Sequence, residues 1–73
     1  MRVRADLLRE GDLIAHNNHW EPVFKTVITT SELGKFVNIF GIDIDGEGYL
    51  LVSCIAAKTF TTIRDFPTRG NTQ

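Results

Sequence analysis

Residues 36–42 read FVNIFGI and residues 49–55 read YLLVSCI, and the segment between them ends in Asp45-Gly46-Glu47-Gly48. β-branched and aromatic residues on both sides of a glycine-containing turn predict an antiparallel hairpin. A half-buried strand alternates apolar and polar residues, whereas these two stretches are apolar on neighbouring positions as well. A chain of 73 residues has one small core to fill. We therefore expect some of these side chains to meet a surface outside the chain.

The rest of the chain predicts further short strands. Extended segments are expected around Val3 and over residues 13–15, 20–30, 36–44, 49–57 and 59–66, with a single helical turn over residues 5–12 closed by Gly11. A helix is the alternative for residues 49–57, but β-branched residues beside a tight turn favour a strand. Five or six short strands at regular spacing describe one small barrel or sandwich domain over residues 1–66, with residues 67–73 as a frayed polar tail.

One short segment carries a family resemblance. Leu7 is followed by Gly11-Asp12-Leu13-Ile14, and then by a turn containing Trp20 and a strand. This order resembles the opening of SH3-like β-barrel proteins, small examples of which are frequent in actinobacteria and their phages. The resemblance implies an all-β, five- to six-stranded SH3-like barrel with one short N-terminal helical turn, and a phage or prophage origin. It implies no activity, because a fold does not determine function.

The same opening is similar to part of the self-splicing Hint fold. Met1 stands where that family needs a cysteine or serine nucleophile, and the chain has about half the required length. Splicing is therefore excluded.

Composition narrows the class of protein. The sequence is 42% hydrophobic and 23% charged, with a formal net charge of −1. A dedicated nucleic-acid or anionic-membrane binder is usually clearly basic, and a membrane-spanning helix needs about 20 apolar residues in a row. Neither feature is present in the sequence, and residues 1–6 do not read as a secretory signal. With one cysteine, Cys54, and no export signal, we expect a cytoplasmic protein that makes no membrane contact.

Two groups of polar residues invite a metal-binding interpretation. Asp43, Asp45 and Glu47 match the first part of a calcium loop, but position twelve is Cys54 where a bidentate glutamate is needed, so a hairpin turn is the better interpretation. The second group has too few ligands for a zinc site and is interpreted as a solvated loop; it consists of Asp12, His16, His19 and Glu21. We therefore expect no metal.

Cys54 is the remaining candidate for chemistry. A nucleophilic cysteine needs a partly exposed, electropositive setting and a base, whereas this one lies in an apolar strand and fits a buried small side chain. No Ser/His/Asp set, phosphate-binding glycine loop or carboxylate pair can be assembled. We expect neither an enzyme nor a cofactor.

A nucleic-acid-binding barrel is the alternative function. The first and last strands of small barrels often pair, which would gather Arg2, Arg4 and Arg64, together with Arg69, near an exposed aromatic ring. Trp20, Phe24 and Tyr49 are the rings that could stack on bases. Neighbouring acidic residues oppose this interpretation by cancelling much of the positive field; they are Asp6, Glu10, Glu21 and Asp65.

The sequence favours a non-enzymatic protein-interaction module that acts as a homo-oligomer, most simply a homodimer, with a phage or prophage accessory or regulatory role. A host or phage protein is a possible further partner. Two sets of side chains compete for the interior, and the N-terminal bend at Leu7 and Leu8 could cover the second set. The residues predicted for the interface are Val37, Ile39, Leu51, Ile55, Trp20 and Phe24.

Overall fold

A computed structural model describes residues 1–64 of the chain. In order, these residues form β1 (Arg2–Arg4), a 3₁₀ turn (Ala5–Leu7), β2 (Leu13–His16), β3 (His19–Pro22), β4 (Lys25–Ser31), β5 (Gly34–Ile42), β6 (Gly48–Ile55) and β7 (Thr59–Ile63). The all-β class and the N-terminal helical turn predicted from the sequence are confirmed, with seven strands rather than five or six. The predicted tail at residues 67–73 lies outside the described residues.

The strands form two antiparallel sheets. The four-stranded sheet has the order β1-β7-β2-β3, and the three-stranded sheet has the order β4-β5-β6. The first and last described strands pair, with Val3 opposite Phe60. Within residues 1–64 no strand pairing joins the two sheets, so they form an SH3-like barrel that is not closed.

The predicted strand over residues 20–30 is in fact two strands in different sheets. The Val23 N–H donates to the Asp12 carbonyl at 2.8 Å, and the Val23 carbonyl accepts from the Gly11 N–H at 2.8 Å. The next residue, Phe24, donates its N–H to the Phe40 carbonyl in the three-stranded sheet at 2.7 Å. The chain therefore changes sheets between Val23 and Phe24, and the buried Val23 side chain anchors the crossover.

The core lies between the inner faces of the two sheets, under the N-terminal turn. Val37 and Ile39 have no solvent exposure, and the prediction that placed them on an interaction face is wrong. The 3₁₀ turn packs against β5, and Ala5 and Leu8 join the same cluster as Val37 and Ile39. The buried apolar residues are Val3, Ala5, Leu8, Ile14, Val23, Val37, Ile39, Ala56 and Phe60.

A buried ion pair ties the bend after the 3₁₀ turn to the end of β7. Asp12 is 3% exposed and accepts hydrogen bonds from Arg64 Nε at 2.9 Å and Arg64 Nη2 at 2.7 Å. The Arg9 N–H donates to the same carboxylate, and Arg64 also donates to the Leu7 carbonyl. Burial raises the pKa of Asp12, but Arg64 and the Arg9 N–H outweigh burial and hold that pKa below its usual value.

Asp12→Asn tests this ion pair through the pH dependence of stability. Because the folded-state pKa of Asp12 lies below its unfolded value near 3.9, the ion pair stabilises the fold above about pH 4 and is lost as pH falls through the folded pKa. We expect Asp12→Asn to lower the free energy of unfolding by about 2 kcal/mol at pH 7, with the difference from wild type shrinking towards pH 2. Urea denaturation at each pH measures it. Asp45→Asn, at an exposed turn residue, is the control, and a difference that stayed constant with pH would contradict the assignment.

Candidate protein-interaction surface

The outer face of the three-stranded sheet is defined by the strand register. Directly opposed residues in antiparallel strands place their side chains on the same face. Across the sheet, Thr29, Phe36 and Ile55 lie in one row, Val27, Asn38 and Ser53 in the next, and Lys25, Phe40 and Leu50 in the third. Phe36, Asn38 and Phe40 alternate with the buried Val37 and Ile39, so these rows face away from the core. We call the apolar members of these rows the outer patch: Val27, Phe36, Phe40, Leu50 and Ile55.

The outer patch is at the surface of the described part of the chain. Leu50 is 53% exposed, Ile55 57% and Val27 41%, and the two phenylalanines are half-buried. Single exposed apolar side chains are normal on a soluble protein, but here five lie on one face of three adjacent strands, around the polar pair Asn38 and Ser53. Covering that surface would be favourable by roughly 25 cal/mol for each Å² removed from water.

The polar pair inside the outer patch has internal hydrogen-bond partners. The Ser53 hydroxyl donates to Asn38 Oδ1 at 2.5 Å, and Asn38 Nδ2 donates to the Val27 carbonyl at 3.4 Å. Burying a polar group without a partner costs about 1–3 kcal/mol, and these bonds reduce that cost. At one end of the patch, Lys25 Nζ lies 5.6 Å from the centre of the Phe40 ring, in cation–π range. The surface can therefore be covered without leaving Asn38 or Ser53 without a partner.

A bulge in β6 determines which of its side chains belong to the patch. Ile39 pairs with Val52, whereas Phe40 pairs with Leu50, so Leu51 is an extra residue without a cross-strand partner. Leu50 therefore points outward and Val52 inward, although they are two residues apart. Leu51 is half-buried and packs against the core. Strict alternation along β6 would place Leu50 and Val52 on one face, and the bulge prevents this.

The structure does not bring the six predicted interface residues together. Ile55 lies in the outer patch, whereas Val37 and Ile39 are in the core. Trp20 is 49% exposed but lies on β3 of the other sheet, opposite Ala15. Phe24 is half-buried at the crossover between the sheets, with its ring beside Gly48.

Sequence reasoning missed four members of the patch as interface residues: Val27, Phe36, Phe40 and Leu50. One signal for Phe36 and Phe40 was present, because Asn38 is the polar residue in their alternating set and marks it as the face towards solvent.

The residues considered for metal binding have structural contacts. The Asp43 carboxylate accepts from the N–H groups of Asp45 and Glu47, both at 2.9 Å, which is turn chemistry. His16 and His19 are opposed at the end of β2 and β3, across a two-residue turn. Both turn residues, Asn17 and Asn18, have positive φ, which is typical of a type I′ turn. Among residues 1–64 there is no group of three or more potential metal ligands.

Cys54 lies on the inner face of β6, opposite Val37. Burial raises the pKa of its thiol, which disfavours the reactive thiolate.

The arginines named for nucleic-acid binding contact groups on the protein itself. Arg4 pairs with Asp6 at 3.0 Å, which lowers the pKa of that carboxyl, and Arg2 donates to Thr59 Oγ1. Arg64 is held by Asp12, while Arg69 lies outside the described residues.

No helix in residues 1–64 is long and apolar enough to span a bilayer.

Comparison with known proteins supports the fold. No protein-family model matches the sequence, and no curated protein is significantly similar to it. Among solved structures, a translation initiation factor eIF-5A family protein from Naegleria fowleri ATCC 30863 is similar, with a TM-score of 0.63 and 18% sequence identity. The similarity covers 89% of this chain and 46% of that one, so this chain spans about half the length of that protein. At this identity, the similarity shows a small all-β barrel fold and nothing about activity.

Aspartate substitutions at Ile39 and Ile55 test the assignment of the two faces. Ile39→Asp places a carboxylate in the core, and its cost of several kcal/mol is comparable to the roughly 3–5 kcal/mol that a core of this size supplies. We expect Ile39→Asp to lose cooperative thermal unfolding, measured by circular dichroism, and Ile55→Asp to keep it because its side chain is exposed. The reverse result would show that the faces are assigned wrongly.

Proposed function

We propose that this chain is a non-enzymatic protein-interaction module that self-associates by packing the outer patch of one copy against that of a second. The observation that carries the proposal is the set of five apolar side chains on one sheet face that residues 1–64 leave wholly or partly exposed. A sheet face of this kind is ordinarily covered by a second sheet about 10 Å away, as in a β-sandwich.

A second copy is the occupant that the surface favours. A two-fold axis brings the same patch from both copies together, so apolar side chains of one copy can meet apolar side chains of the other. The formal net charge of −1 gives little electrostatic repulsion between copies. Asn38 and Ser53 already bond to each other, so their burial in such an interface does not require matching donors and acceptors on the partner.

The size of the patch sets the strength of the association. Three strands about 4.8 Å apart and about seven residues long at about 3.4 Å each give a flat footprint of roughly 15 Å by 25 Å. A standard stable interface buries about 800 Å² on each partner, so this footprint alone corresponds to a reversible association that depends on concentration.

The biological setting is also part of the proposal. A phage or prophage accessory role rests on the sequence resemblance at residues 7–14. A cytoplasmic location rests on the single cysteine, and a host or phage protein as a further partner is compatible with that location and with the phage role. The alternative of nucleic-acid binding is disfavoured because Arg4 and Arg64 are already paired with Asp6 and Asp12.

Ile55→Asp tests the proposal. Across a two-fold interface it introduces two like charges among apolar groups, and we expect it to weaken association by at least about tenfold. Sedimentation equilibrium over a wide concentration range measures this, with wild type exceeding the 8.2 kDa of one chain. Thr61→Asp adds the same charge to an exposed strand position on the other sheet and should leave association unchanged. The proposal is wrong if all three proteins have the same mass at every concentration.

A further inference from the structure

We infer that the free edge of β4 is a second self-association site, at which the β4 strands of two copies pair antiparallel to form one continuous sheet. This site uses backbone groups of β4 rather than the outer patch. The inference therefore does not depend on the outer patch being covered.

β4 is the one sheet edge in residues 1–64 that lacks protection against strand pairing. Folded proteins protect their edges with short strands, charges, prolines or bulges. β1 has three residues, two of them arginines, and β3 has four residues and ends at Pro22. β6 carries the bulge at Leu51. β4 has seven residues in regular register, with Lys25 at its start as its single charge.

The hairpin between β4 and β5 fixes which backbone groups of β4 point outward. Ser31 and Gly34 are paired across a two-residue turn, and such a turn requires that this pair exchange both hydrogen bonds. Hydrogen-bonded pairs then recur at every second residue, so Thr29 and Val27 also bond to β5. Thr26, Ile28 and Thr30 direct their N–H and C=O groups to the free edge, where residues 1–64 provide no pairing strand.

The outward backbone groups of these three residues are complementary to the same groups in an antiparallel second copy. Ile28 is the middle residue of β4, so a two-fold axis through it pairs Ile28 with Ile28 of the second copy and Thr26 with Thr30 of the second copy. Each outward donor then meets an outward acceptor. Cross-strand Thr–Thr pairs are favourable, and Lys25 comes close to Glu32 in the turn of the second copy, which has the opposite charge.

The exposure of the Ile28 side chain also favours a second copy of this chain as the partner at the β4 edge. Ile28 lies on the inner face of the sheet, opposite Val37, yet it is 47% exposed whereas Val37 is fully buried. The four-stranded sheet therefore covers β5 but does not extend over Ile28. Pairing of two β4 strands places the two Ile28 side chains side by side, so each covers part of the other.

Pairing of two β4 strands determines how the edge site would combine with the outer-patch interface in one assembly. A six-stranded sheet of order β6-β5-β4-β4-β5-β6 places the two outer patches on the same face. The two-fold axis of the edge is perpendicular to the sheet, whereas the axis of a face-to-face interface is parallel to it. Two perpendicular two-fold axes that intersect generate a closed tetramer with four times the mass of one chain, whereas axes that do not intersect generate an open assembly.

Disulfide trapping tests the register of the pairing. In a Cys54→Ser background, Ile28→Cys places two thiols across the axis, where hydrogen-bonded partners have Cα atoms about 5.5 Å apart, within disulfide range. We expect a cross-linked dimer under mild oxidation, measured by non-reducing electrophoresis. Thr30→Cys is the matched control, because Thr30 of the second copy is roughly 14 Å away along the strand. Equal cross-linking of both variants, or none of Ile28→Cys, would overturn the inference.

Sedimentation of edge and patch variants separates the two sites. Thr30→Pro removes an outward N–H that β5 does not use, and Ile28→Lys places a charge at the centre of the pairing. Circular dichroism first shows that each of these two edge variants is folded. We then expect each edge variant to weaken one association step at least tenfold. The double variant that carries both Ile28→Lys and Ile55→Asp should be monomeric. If Ile55→Asp alone weakens association, the edge site is wrong and the proposed function stands. If the edge variants alone do so, the edge site stands and the outer-patch interface is wrong.

Discussion

Residues 1–64 cover only one face of the three-stranded sheet. The four-stranded sheet and the 3₁₀ turn both lie against the inner face of β4-β5-β6, where Val37 and Ile39 are fully buried. Within residues 1–64 nothing lies against the other face. Because an antiparallel sheet with one solvated face normally carries polar residues there, the phenylalanines and aliphatic residues of the outer patch are the departure from the ordinary pattern. The proposed face-to-face association follows from that departure.

Local turn chemistry made part of the fold predictable from the sequence. The hairpin between β5 and β6 and the bend at Gly11 depend on residues that adopt positive φ, and Gly46 and Gly11 both do so here. Turn sequences of this kind involve only a few neighbouring residues, so they can be recognised from the sequence alone. The all-β class followed from several of them at regular spacing.

Features that depend on distant contacts could not be predicted. The change of sheet at Val23 is fixed by hydrogen bonds to Gly11 and Asp12, and the pattern of residues 20–30 is equally compatible with one strand. The bulge at Leu51 reverses the facing of Leu50 relative to Val52, so strict alternation gives the wrong face. For β5 the sequence did indicate which face is exposed, because Asn38 is the polar residue on that face. Phe36 and Phe40 lie on the same face, and their apolar side chains made it resemble the core face.

The polar groups of the chain are used largely for holding the fold. Asp12 and Arg64 join the bend after the 3₁₀ turn to β7, Asp43 closes the hairpin turn, and Arg4 pairs with Asp6. Groups held in this way are poor candidates for proton transfer or ligand binding, because either would require breaking a bond that the fold uses.

The small size of the domain offers one explanation for both the exposed apolar face and the unprotected β4 edge. A core of this size supplies roughly 3–5 kcal/mol, and natural domains in this range commonly gain stability from disulfides, metals or association. Cys54 is the single cysteine, and the residues considered as metal ligands, at 12–21 and 43–47, belong to a hairpin and a turn. The proposed association would stabilise the folded chain by mass action, since only folded copies present the outer patch and the β4 edge. The apolar residues on the outer face and a β4 edge with no proline and a single charge, Lys25 at its start, are then consistent with each other: both are liabilities in an isolated monomer, and both would be contacts in the proposed assembly.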